Sequence, residues 1–172
     1  MTHVLIPLIL VELWRDYFVK GKRNFPLHYV LIAGLAGLLP DIDILVYWLL
    51  NGFGSVGLHE VHRTFTHSLF FPLAFLILGF VFWRVRCGWL GRHKMELRCV
   101  FLIIAFGCFV HLLLDFLLCG FIMPFYPISE WAIGLNIFGG VLEGTLVSGL
   151  DAVILAAWLV HEEFKHKISG FF

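Results

Sequence analysis

Residues 97–118 form one apolar run with two ionisable side chains set deep inside it, His111 and Asp115. The run matches the ~20 residues an α-helix needs to cross a bilayer. Within hydrocarbon, a helix is one of the few structures that satisfies its own backbone. The run therefore predicts a membrane-spanning helix. His111 and Asp115 are four residues apart and project from one face of it, where an imidazole and a carboxylate are costly unless partnered. Two partnerships are open: both side chains on a metal cation, or a hydrogen-bonded pair that holds helices together.

Four further apolar segments can be marked. Residues 3–14 carry Glu12 and are short for a crossing. Residues 27–50 are long enough but are interrupted by Pro40-Asp41-Ile42-Asp43, because the residue before a proline is pushed out of helix; a small-residue helix is expected to stop there and the chain to re-enter. Residues 66–83 would run roughly 27 Å, with Thr64 or Thr66 as N-cap. Residues 141–160 supply the last segment. The 172-residue chain is 60% hydrophobic, with a mean hydropathy of +0.94, outside the usual range of soluble domains. The expected fold is all-α: a single domain over residues 1–172, a multi-pass transmembrane helical bundle with about five membrane segments.

A net charge of zero argues against nucleic-acid binding through a general basic field. Cys87, Cys99, Cys108 and Cys119 form no CxxC pair and read as small packing residues. The first apolar stretch ends in Trp14-Arg15-Asp16 with no small-residue cleavage site, so no cleavable signal peptide is expected. Basic residues cluster at 15–23, at 84–98 and in the tail, and the positive-inside rule assigns all three to the cytoplasmic side of a cell (inner) membrane. That layout gathers His3, Asp41, Asp43, His62 and His67 near the extracytoplasmic face. His111 lies about 20 Å across a core of roughly 30 Å, with Asp115 and Glu143 nearer the same side.

These residues are the candidate site. His62 and His67 are five apart and converge only if the chain turns between them; Arg63 would suit an anionic phosphate group. Otherwise they are two interfacial histidines facing water. Asp41 and Asp43 bracket Ile42: they point apart in a helix, but an extended turn lets both face a cavity, one as ligand and the other as cap or supporting acceptor. Thr66 and Ser68 flank His67 and are placed to support it. His3 is either a ligand or solvated. Glu143 and Asp151, eight apart, could back the site. Two short patterns are excluded as zinc-protease motifs, because the histidines of His59-Glu60-Val61-His62 and of residues 161–166 are three and five apart, not four; the second reads as a solvated helix end.

Leu39-Pro40-Asp41-Ile42-Asp43, then His62-Arg63 with Thr66-His67-Ser68, then His111 and Asp115 followed by Gly120 and Pro127, together resemble the YdjM-like family of LexA-regulated, membrane-bound metal-dependent hydrolases. The likeness runs from His3 to about Pro127, with Thr64 where members commonly have glycine. The family is remotely similar to the all-helical zinc-dependent phospholipase C and single-strand nuclease superfamily. The resemblance implies phosphoester hydrolysis with one or two divalent ions, zinc foremost, acting on a lipid or other amphiphilic phosphoester. It assigns Asp41, His62, His111 and Asp115 as core metal ligands, with His67, Asp43 and His3 as further ligands or support, and Asp43, Arg63 and His67 as catalytic. The competing expectations are a metal-ion transporter, which needs polar residues continuing to the other face, and a structural module with no bound metal.

Overall fold

The computed structural model describes residues 1–20, 25–51, 64–85, 87–137 and 143–167. Over these residues the chain is helical and contains no strand. In order it forms α1 (Thr2–Tyr17), α2 (His28–Ala36), α3 (Ile42–Asn51), a 3-10 turn (Phe65–His67), α4 (Phe70–Val81), α5 (Gly88–Arg92), α6 (Leu97–Leu114) closed by a π turn (Asp115–Cys119), and α7 (Glu143–His166). The central helix is α6, packed on α4, α2 and α1, while α7 lies against α1.

The five expected segments are more broken than their hydropathy suggests. Among the described residues one helix, Leu97–Leu118, is long and apolar enough to cross a membrane. Residues 27–50 divide into helices of 9 and 10 residues, and the break falls at Pro40 as its restricted backbone requires. Residues 66–83 begin as a 3-10 turn, and neither Thr64 nor Thr66 caps a helix. Thr66 instead donates to Asp43 Oδ2 at 2.9 Å, a choice open to a short hydroxyl side chain that competes with regular structure. The start of α4 is held from the loop, where the Leu69 N–H meets the Pro124 carbonyl at 2.9 Å.

Small residues set the helix contacts. Pro7 has no N–H to give the His3 carbonyl, and Gly37 packs against that carbonyl: a β-carbon at position 37 would lie 1.8 Å from it. At Gly107 a β-carbon would come within 2.6 Å of Ala36 Cβ and 2.8 Å of the Ala33 carbonyl, so α6 and α2 meet backbone to backbone, as small residues allow. Cys108, fully buried, sits in this seam with its thiol 3.5 Å from the Ala36 carbonyl. Cys87 is exposed, which corrects its reading as a packing residue. An apolar core of Val11, Tyr29, Val30, Ala33, Met95 and Ile103 fills the part of the bundle away from His3.

Candidate metal centre

The π turn and the Pro40 break deliver side chains to one point. His111, in the last turn of α6, passes its Nδ1 proton to the Gly37 carbonyl at 2.6 Å. A carbonyl can only accept, so in the neutral imidazole Nε2 carries the lone pair. His67 is oriented in the same manner by carboxylate and hydroxyl: its Nδ1 lies 3.2 Å from Asp43 Oδ2 and 3.1 Å from Thr66 Oγ1. The two Nε2 atoms then face each other at 3.3 Å. Lone pairs at that distance repel unless a positive centre lies between them.

Two carboxylates complete the ring. Asp41 Oδ1 stands 3.6 Å from both Nε2 atoms, and Asp115 Oδ2 stands 3.4 Å from that of His67 and 3.5 Å from that of His111. The other oxygen of Asp115 reaches His3 Nε2 at 3.2 Å, and the His3 ring lies 4.2 Å from that of His111. Both Asp41, His67 and His111 and His3, His111 and Asp115 are spaced to share an ion. The histidines at 67 and 111 are buried, whereas the Asp41 side chain is 35% exposed. Asp41 therefore marks the open edge of the cluster.

Several expected roles shift. His62 and Arg63 lie outside the described residues. Asp43 is buried and bonded to His67 and to Thr66, an arrangement that orients the His67 imidazole. Ser68 donates to the Phe65 carbonyl at 2.8 Å and braces the turn that carries His67, without touching the cluster. Asp151 accepts from Thr2 and lies 3.2 Å from the Met1 amine. It thus anchors the start of α1, one residue before His3. Glu143 opens α7, and its side chain falls outside the described residues.

Residue-by-residue reading missed the Gly37 carbonyl, because a backbone acceptor has no signature in composition. It also missed a second group, Glu12, Glu162 and His166, close enough to hold an ion between them. The expected solvated helix end at residues 161–166 is corrected in part by this packing: the Glu162 side chain is 13% exposed and His166 Nε2 bonds Asp16 Oδ2 at 2.9 Å, while Phe164 and Lys165 are exposed.

Comparison with curated proteins gave no match, nor did comparison with solved structures. A family model described as YdjM inner membrane protein matches residues 1–168, which takes in α7 as well as the motifs that end near Pro127. With nearly its whole length covered and the polar cluster inside the match, the chain belongs to the YdjM inner membrane protein family.

Proposed function

We propose that the chain is a multi-pass, membrane-embedded, metal-dependent hydrolase that cleaves a phosphoester of a lipid or other amphiphile near the extracytoplasmic face, with zinc as its metal. One observation carries the reading: the convergence of two imidazole lone pairs and two carboxylates on a single point. Ligands arranged tetrahedrally around zinc at about 2.0–2.2 Å stand about 3.3–3.6 Å from one another. Five of the six donor separations among Asp41, His67, His111 and Asp115 run from 3.3 to 3.6 Å. His3, on the far oxygen of Asp115, would serve a second ion or fix that carboxylate.

A bound zinc ion would supply Lewis acidity, lowering the pKa of a water toward neutrality and polarising a phosphoryl oxygen. The chain's own residues do the positioning. Asp43 and the Gly37 carbonyl lock the two imidazoles in the tautomer that offers Nε2, the orienting arrangement common behind metal-bound histidines. Asp41 lines the approach for substrate, and Arg63 is proposed to hold its anionic group. A membrane setting is supported by the large apolar side chains turned outward on three helices, among them Leu31, Leu35, Trp48, Leu49, Phe80 and Val81, a surface ill suited to water.

The test is metal analysis of the purified protein together with turnover of a chromogenic phosphodiester. Stoichiometric zinc and turnover are expected, with turnover lost in Asp115→Ala while helical content is kept. A metal-free protein, or turnover indifferent to that substitution, overturns the reading.

Cation transport is a second reading with one observation in its favour. Glu12, Glu162 and His166 form a donor group nine residues along α1 from His3, or about 13 Å at ~1.5 Å per residue. Zinc uptake by reconstituted vesicles, abolished by Glu12→Gln, would favour transport over hydrolysis.

A further inference from the structure

The connection between α4 and α6 lies at the opposite end of α6 from the donor cluster: Arg98 precedes His111 by 13 residues, or about 20 Å at ~1.5 Å per residue. There the chain forms a pocket of about 670 Å³ whose lining includes Trp83, Arg84, Lys94, Glu96 and Arg98. Three cations face one carboxylate, and that carboxylate is engaged. Glu96 Oε2 accepts from Arg98 Nε, and the Arg98 guanidinium lies 4.6 Å over the Trp83 ring. Arg98 is thus held on two sides. Among the described residues its terminal nitrogens, the atoms that grip phosphate oxygens in pairs, have no partner, and neither Arg84 nor Lys94 has an ion pair.

The pocket is fixed to the bundle from below. Met95 belongs to the apolar core, and the Glu96 N–H donates to the Tyr29 hydroxyl at 2.6 Å. No side chain caps the start of α6 immediately after Glu96, so the free N–H groups of its first turn add partial positive charge. Lys94 is placed with some strain. Helix α5 ends in a Schellman turn, with the Lys94 N–H on the Gly91 carbonyl at 3.0 Å and the Met95 N–H on the Leu90 carbonyl at 2.9 Å. That turn puts one residue in the left-handed region, usually glycine; here it is Lys94, at φ 57°. A glycine would suit the backbone better, yet would remove a charge from the pocket wall.

We propose that this pocket binds an anionic phosphate group, carried by a phospholipid head or free in solution. The site is separate from the donor cluster and stands whether or not that cluster hydrolyses anything. Exposed Trp83 and Trp89 on the same connection have the amphipathic character of residues seated at headgroup level, where basic pockets at helix ends take acidic lipid heads.

The experiment titrates the full-length protein, in a neutral maltoside detergent, with dioleoyl phosphatidylglycerol and with zwitterionic dioleoyl phosphatidylcholine, counting bound lipid by native mass spectrometry. A second arm measures radiolabelled inorganic phosphate by equilibrium dialysis. Phosphatidylglycerol is expected to bind at least fivefold more tightly than phosphatidylcholine, and to lose at least tenfold in Arg84→Gln/Lys94→Gln, at about fivefold per charge removed. Inorganic phosphate bound by the wild type and lost in the double variant, with the two lipids alike, identifies the soluble anion instead. Lys94→Gly keeps the test open if the double variant does not purify folded: binding should weaken about fivefold while Tm holds or rises, the reverse of a purely structural lysine. Arg92→Gln removes a charge from the same connection outside the pocket and should leave binding unchanged. Equal weakening by Arg92→Gln and Arg84→Gln, which would mean a diffuse basic field, overturns the proposal. So does binding of both anions that is indifferent to the double variant or to Lys94→Gly, or binding of neither.

Discussion

At the amino-terminal end of α1, His3 joins a group in which two imidazoles turn lone pairs toward each other. Toward its other end, Glu12 and Asp16 meet Glu162 and His166, and there several donors are in place. Trp158 donates to Glu12, while Arg15 and His166 both reach Asp16. Burial and the neighbouring Glu12 carboxylate push the Glu162 carboxyl above the ordinary glutamate range, which favours a proton shared between the two. Both groups have the residue types of a metal site. The difference lies in the hydrogens. In the Glu12 group, Trp158, Arg15 and His166 meet the carboxylates while Glu162 Oε1 is buried without a hydrogen-bond partner; in the His3 group two imidazoles and two carboxylates converge, an arrangement that a proton or a cation can hold.

That contrast can be broken most directly by removing a ligand. His111→Ala is expected to reduce bound zinc to background and to abolish phosphodiester turnover, measured by metal analysis and a chromogenic assay, whereas Glu12→Gln leaves zinc content unchanged. Equal loss in both would erase the distinction between the clusters. Chelation of the wild type should lower stability by about 2–3 kcal/mol if zinc is present at ~100 times its Kd, read as a drop in Tm that His111→Ala no longer shows.

A smaller effect is expected behind the ligands. Asp43→Asn keeps the shape but weakens the acceptor that orients His67, and a loss of metal affinity of about 10–100-fold should follow, measured by competition with a chelating dye. Gly37→Ala forces a methyl toward the His3 carbonyl, which is backbone and cannot swing aside. It should cost about 1–3 kcal/mol in unfolding experiments and weaken zinc binding, because the same residue carries the acceptor for His111.

The smallest effect belongs to the Glu12–Glu162 group. A carboxyl whose folded pKa is raised contributes stability that is fully present below the unfolded pKa and is lost as pH rises through the folded value. The wild-type Tm should therefore decline as pH rises upward from the ordinary glutamate range, and Glu162→Gln should flatten that decline without altering zinc content. A Tm profile identical in the two proteins would remove the shared proton from the account.

Much of the framework was legible in the residues. The break at Pro40 followed from the proline ring, and the shared face of His111 and Asp115 from their spacing. The start of α4 was not, because Thr66 had two uses, capping a helix or bonding Asp43, and local sequence does not rank them. Hydropathy marked five apolar segments, yet among the described residues one helix is long and apolar enough to cross a membrane, because hydropathy counts side chains and is blind to where the backbone is diverted to aim a histidine. The second cluster escaped notice because its members stand about 150 residues apart, and each taken alone resembles a charge at a helix end.

The sequence by itself determined that helices would form, roughly where they would stop, and that ionisable groups would lie within apolar surroundings, since these follow from local backbone restriction and from periodicity. Only the tertiary structure decided which nitrogen of each imidazole faces the carboxylates of Asp41 and Asp115. That choice rests on Gly37 meeting His111 across 74 residues and on Asp43 meeting His67 across 24, contacts made by packed helices and invisible to any local pattern.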